Sequence, residues 1–308
     1  MHRRRCLGLH HQAGRRGAAA VADAGVAALN GPARQAGTLA TDELEIDLLL
    51  EGVFQRYGFD FRAYDRPSLK RRLLALMEER GLATVSLLQD RVLHDPAAAA
   101  ALLRALSVRP AFLFDDPEQA RQTREVLGGC LRASALPKVW LAECAHAEEA
   151  WSLAILLAEQ QMHHRTEIFA TVANEQLLAE ALQASIPMER MEQYQENYLK
   201  SGGTANLADY FEVRGKRAVL LPALRSRITW AQYNLVTDAS FNEFQLILCR
   251  RALADFGPVL RQRTLRLFHD SLALFGVLGI DRELAPGDTL AASYQPVFAH
   301  QPWYKRVA

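Results

Sequence analysis

The sequence predicts an α/β protein: a small helical domain, then a mostly parallel sheet flanked by helices, with a short antiparallel β insert. Three observations carry that expectation. Residues 41–115 show apolar stripes at helical spacing. After Leu136, short apolar runs alternate with amphipathic stretches of helix length, which argues a parallel sheet covered on both faces. Residues 201–234 break that alternation with short strand-like runs behind Gly202 and Gly203.

Residues 1–38 read as a disordered basic tail. Arg3, Arg4, Arg5, Arg15, Arg16 and Arg34 face one acid, Asp23, among mostly Ala and Gly. Asp23 interrupts the only candidate secretory run. A nucleic-acid-binding arm is the weaker reading, because no aromatic residue there can stack on bases. A helical domain is expected over residues 39–118. Leu44, Leu48 and Phe54, with acids between them, open a helix near Thr41. Leu69, Leu73, Leu76 and Met77 form the stripe of a second helix that starts by Pro67 and stops at Gly81. Residues 84–93 and 96–106 give two more.

The larger domain is expected over residues 119–308, with strands at 139–142, 168–171, 244–248 and 276–280. Helices are expected at 148–160, 175–184 and 259–274, and a final strand pair at 294–298 and 303–306. Within 201–234, the runs 210–213, 218–221 and 228–233 read as the inserted antiparallel subdomain.

Charge excludes little: 36 Lys and Arg balance 35 Asp and Glu, so there is no global pull toward nucleic acid or a membrane surface. No apolar run reaches the roughly 18 residues of a membrane span. Cys6, Cys130, Cys144 and Cys249 are far apart and form no Cys-x-x-Cys pair, so reduced thiols in the cytoplasm are expected rather than disulfides or zinc. His163 and His164 are adjacent and do not face one another on a helix, so no metal site is expected from them.

In an open parallel sheet, ligands bind beyond the carboxyl ends of the strands, where strand order reverses. The first such loop is Glu143, Cys144, Ala145, His146 and Ala147, without the glycine that lets backbone approach a nucleotide. The second strand ends near Val172, which accepts no hydrogen bond from a ribose. Glu148 and Glu149 open a helix, where they either grip a cationic group or complement the helix dipole. Lys70, Arg71 and Arg72 form either a solvated face or a surface for an acidic partner.

Several segments, in order, carry a resemblance over about residues 41–306. They are 57–72 (YGFDFRAYDRPSLKRR), Trp140, Cys144, Glu148 to Ala150, 152–157 (SLAILL), 198–203 (YLKSGG), 209–211 (DYF), 234–238 (NLVTD), 240–243 (SFNE) and 246–250 (LILCR). Together they resemble the CheR-type methyltransferases, which use S-adenosylmethionine to methylate glutamates on chemotaxis receptors. The resemblance implies a Rossmann-like methyltransferase sheet. It implies that Cys144 lies in the first cofactor motif, that Glu148, with Glu149, holds the cofactor's ammonium, and that Asn234 and Leu235 lie along the adenosine. It implies that Arg250 orients the incoming carboxylate.

The chain also departs from the family pattern around the cofactor. The first motif normally reads Ala-Gly-Cys-x-Thr-Gly-Glu-Glu; here Glu143 and Ala147 replace the glycines and His146 the threonine. Val172 replaces the ribose acid. Arg109 and Ala111 fall in the segment that normally reads Asn-Val-Thr, and Asp115 replaces an arginine. Arg251 replaces an asparagine, and Asp255 a tyrosine. Losing one hydrogen bond to a charged group costs about 1.5–3 kcal/mol, and a positive φ at Ala147 would add about 1 kcal/mol. Two readings follow: a protein-glutamate methyltransferase, active or weakly active, and a catalytically silent relative that binds a receptor or other signalling protein. Either would meet its partner through Lys70, Arg71, Arg72 and the β insert, with no membrane insertion.

Overall fold

The computed structural model describes residues 41–107, 111–285 and 287–308. The basic tail and Arg109 lie outside the described residues. The helical domain comprises α1 Thr41–Tyr57, α2 Arg66–Arg80, α3 Val85–His94 and α4 Pro96–Ser107. Asp65 caps α2 by accepting from the Ser68 amide at 3.0 Å, and Gly81 ends it with φ 63°, a left-handed turn that glycine adopts without Cβ strain. The α2 stripe expected from sequence is buried in full. The face of α1 is corrected: Ile46, Leu49, Leu50 and Val53 are buried, whereas Leu44 and Leu48 are 48% and 52% exposed. The acids between the leucines had made the outward stripe look like the inward one.

The remaining chain gives α5 Pro117–Cys130, β1 Lys138–Leu141, α6 Ala147–Glu159, β2 Glu167–Val172, α7 Glu175–Leu182, β3 Ile186–Pro187 and α8 Met191–Lys200. Next come β4 Phe211–Arg214, β5 Arg217–Leu220, α9 Pro222–Arg225, β6 Ile228–Gln232, β7 Phe244–Cys249, α10 Pro258–Ser271, β8 Leu272–Ile280, β9 Tyr294–Pro296 and β10 Trp303–Arg306. The main sheet has the order β6-β2-β1-β7-β8-β10-β9. Its first five strands are parallel, and β10 is antiparallel to both β8 and β9. Strand order reverses between β1 and β7, which puts the loops after these strands at the switch point.

Alternation along β1 separates the two cores. Val139 and Leu141 pack with residues of α5, α6 and α7, while Trp140 packs with α10. Trp140 lies 5.1–5.4 Å, centroid to centroid, from Tyr233, Phe241, Phe244 and Phe268, and donates its indole N–H to Thr171 Oγ1 at 3.0 Å.

The insert is corrected in one respect. Its antiparallel sheet is β3-β5-β4, and β6 instead joins the main sheet parallel to β2, Ile168 opposite Ile228 through Val172 opposite Gln232. Helices α5 and α8 were not expected from the sequence. The first ends on Gly128 and Gly129, and the second buries only Tyr194 and Tyr198. The helix expected to reach Leu274 stops at Ser271, and β8 begins at once with an irregular stretch in which Phe275 has φ 66°.

The two domains are pinned at Asp255. Its carboxylate accepts from Ser68 Oγ at 2.5 Å and pairs with Arg72, while its backbone oxygen accepts the Asp65 amide at 2.7 Å. The Arg72 and Asp255 side chains are only 14% and 6% exposed. Gly257 donates to Ala63 O at 2.9 Å, so close that a Cβ on residue 257 would sit 2.6 Å from that oxygen. Arg72 is therefore a strut between domains and not part of an exposed basic face. Its guanidinium also reaches Ala105 O and Leu106 O. Lys70 pairs with Glu43 at 3.3 Å, and Arg71 is exposed.

Candidate functional site

The loop after β1 is anchored to both neighbouring strands. Ala142 donates to Leu248 O at 2.8 Å, Cys144 to Thr171 O at 2.7 Å, and Ala145 to Glu149 Oε1 at 2.9 Å. Turning from strand to helix within these bonds requires one left-handed residue, and Glu143 supplies it with φ 57°. A side chain in that region costs about 1–2 kcal/mol. The strain expected at Ala147 is not there, since Ala147 opens α6 in helical conformation. Cys144 is buried, and burial pushes its thiol well above the usual range.

Three cavities are lined by this loop, and a fourth by Leu141 and Glu149 on either side of it. Two small ones, of ≈ 10 and ≈ 20 Å³, share Tyr64, Ser107 and Glu143 in their walls; Asp255 lines the first, Asn234 and Leu235 the second. Each holds about one water. Glu143 is half-buried between them, and burial pushes its carboxyl up to about 8. A third cavity, ≈ 340 Å³, opens on the side of α6 and α7 beside His146, Glu148, Trp151, Val172 and Glu180. Burial raises the Glu148 carboxyl, which accepts from Tyr194 Oη at 3.1 Å. The fourth, ≈ 60 Å³, is lined by Phe112, Asp115, Glu149, Leu248 and Arg251 among others. There Arg251 Nη2 donates to both oxygens of Asp115, at 2.8 and 2.7 Å, and its Nε lies 3.8 Å from Glu149 Oε2. Burial pushes Glu149 up to about 7 against the opposing pull of Arg251. Among the described residues, no group of three His, Cys, Asp or Glu side chains is placed to hold a metal. None of the described helices is long and apolar enough to cross a membrane.

Family comparison matches residues 44–107 to the CheR methyltransferase all-alpha domain and residues 116–283 to the CheR methyltransferase SAM-binding domain. The chain belongs to the CheR methyltransferase family. Cher3 of Pseudomonas putida strain KT2440 is 36% identical over 265 residues, covering 86% of this chain and 97% of the relative. A chemotaxis protein methyltransferase of Listeria innocua serovar 6a is 25% identical over 236 residues, covering 75% of this chain and 87% of the relative. Among solved structures, the glycopeptide N-methyltransferase MtfA complexed with S-adenosylmethionine aligns with a TM-score of 0.32 and 13% identity. That match covers 52% of this chain and 53% of MtfA, a likeness too loose to bear on chemistry.

Within this CheR fold the expected site residues are dispersed. Glu148 and Glu149 are neighbours in sequence but line different cavities. Asn234 closes a local turn, its Oδ1 accepting from Val236 N at 2.8 Å and its backbone N–H donating to Asp238 Oδ2 at 2.9 Å. Leu235 is buried, and its carbonyl accepts from Arg263 at 2.7 Å. Val172 and Ala111 are buried. Arg250 does not reach the loop after β1: it donates to Ile280 O at 2.6 Å, and its guanidinium lies 5.3 Å over the Trp303 ring. Arg251, one residue on, faces the cavities instead. The sequence alone does not pair Asp115 with Arg251, although their opposite charges are a visible signal.

Proposed function

We propose that this chain is a non-methylating CheR-type module of a chemotaxis-like pathway in the cytoplasm, one that holds a receptor or other signalling protein. The observation that carries this reading is the engagement of Arg251 with Asp115 and Glu149, at positions where the family resemblance puts cofactor contacts. Three features around the loop support this reading over a grip on S-adenosylmethionine. Glu143 sets a carboxyl between two cavities with room for about one water each. Val172 offers the ribose hydroxyls no acceptor, and the carboxyls of Glu148 and Glu149 do not converge on one ammonium. Each missing charged hydrogen bond weakens binding by roughly tenfold to a hundredfold. The surface proposed for the partner is Lys70 and exposed Arg71 on α2, together with the β3-β5-β4 sheet.

Methyl transfer to a protein glutamate is the second reading. Glu148 favours it, because it faces the ≈ 340 Å³ cavity beside Val172, as do the chemotaxis methyltransferases among the relatives. The two readings separate when the full chain is incubated with S-adenosylmethionine carrying a labelled methyl and with membranes of the producing cells. The non-methylating reading expects no label above the level without protein. Label on a receptor glutamate that disappears when the chain is omitted would establish the second reading.

A further inference from the structure

We propose that Arg251 is the shared cation of an internal latch. It ties the segment entering α5, through Asp115, to the loop after β1, through Glu149. The latch goes beyond the functional reading above, because it is a property of the chain with no cofactor present.

Three features support it. First, the guanidinium uses separate atoms for the two carboxylates: Nη2 for Asp115 and Nε for Glu149. Second, each carboxylate also holds backbone of its own segment. Asp115 Oδ2 accepts the Phe112 amide at 3.1 Å, and Glu149 Oε1 accepts the Ala145 amide at 2.9 Å. One cation therefore links two stretches of chain, the first of which is also held to α6 where Phe114 donates to Ser152 Oγ at 3.2 Å. Third, the groups are shielded, with side-chain exposures of 24% for Arg251, 26% for Asp115 and 13% for Glu149. Ion pairs in such positions are less weakened by water and salt than surface pairs. Removing the shared cation takes the opposing charge from both carboxyls and breaks the tie between them, which loosens both segments.

The sequence supports the same coupling. Positions 115 and 251 carry opposite charges. The latch residues line the ≈ 60 Å³ cavity together with Leu141, Leu153, Leu156 and Leu248.

Hydrogen exchange of the full chain, read by mass spectrometry without added cofactor, tests the proposal. Arg251→Ala is expected to speed exchange about tenfold or more in both 111–116 and 143–147, which corresponds to about 1.4 kcal/mol of lost protection. Asp115→Asn is expected to speed 111–116 and to leave 143–147 within about twofold of wild type. Helices α1 to α3 serve as the control and should not change. Faster exchange in 111–116 alone with Arg251→Ala would overturn the latch, as would no change in either segment. Should Arg251→Ala fail to fold, Arg251→Lys keeps the charge but cannot span both carboxylates; wild-type exchange in both segments would then overturn the proposal. The latch and the functional reading share one observation, the engagement of Arg251; exchange tests the latch and labelled methyl tests the reading, so failure of one is told apart from failure of the other.

Discussion

Glu143→Gly should make the protein more stable, and by more at neutral pH than in acid. Two terms add. Glycine removes the left-handed strain at φ 57°, worth about 1 kcal/mol. It also removes a carboxyl that burial raises from 4.5 to about 8. Between those values the folded chain holds a proton that the unfolded chain has released, so stability is greatest below about 4.5 and falls as pH rises toward 8. Near pH 7, about 2.5 units above the unfolded value, the full cost is about 3 kcal/mol. Glu143 is half-buried, and water screens part of this, leaving about 2 kcal/mol. Glycine's extra freedom in the unfolded chain takes back about 0.5–1 kcal/mol. The net gain near pH 7 is about 2 kcal/mol, a rise in melting temperature of roughly 4–8 °C. Near pH 5 the charge term shrinks to about 0.5 kcal/mol, while the strain term stays. Melting curves of wild type, Glu143→Gly and Glu143→Gln at both pH values read these terms separately, because glutamine keeps the strain and drops the charge. A Glu143→Gly variant no more stable than wild type near pH 7, or one whose advantage grows in acid, would refute the reasoning.

Other consequences are equally direct. Asp255→Ala leaves Arg72 shielded without this carboxylate and should cost about 3–5 kcal/mol in denaturant unfolding, whereas Arg72→Met with Asp255→Leu should cost much less than the single changes summed; additive losses would deny that the two side chains act as a pair. Arg250→Met should lower stability by about 1–3 kcal/mol through the lost bond to Ile280 O and the Trp303 contact, and should leave any ligand affinity untouched; a change in affinity at constant stability would return Arg250 to a site role. Gly257→Ala drives a methyl against Ala63 O and should speed exchange at residues 63–65 by about tenfold or more, while the interior of α6 stays protected; wild-type exchange at 63–65 would show that the seam can give way without cost.

Much of the architecture could be read from periodicity. β1, β2 and β7 are short runs buried on both faces, and α2 carries its stripe, cap and terminating glycine in sequence. Elements whose identity depends on partners could not be read this way. Ile228 to Gln232 looks like a hairpin strand, and only its pairing with β2 places it in the main sheet. Helix α8 is polar on most sides and is fixed by the burial of two tyrosines. The site shows the same division. The substituted positions were visible singly, but where charge ends up depends on side-chain direction. Arg250 and Arg251 are adjacent and point to different places, one to Ile280 O and the other to Asp115. The resemblance offers Glu143 and Ala147 as the two glycine positions of the loop; the hydrogen bonds of Ala142 and Cys144 put the left-handed turn at Glu143.

Titration calorimetry of the full chain with S-adenosylmethionine, and with its demethylated product, bears most directly on the claim that this CheR scaffold no longer grips its cofactor. With ligand raised to about millimolar, the result expected on the proposed non-methylating reading is heat of dilution alone. A saturable isotherm with a dissociation constant of about micromolar would contradict it.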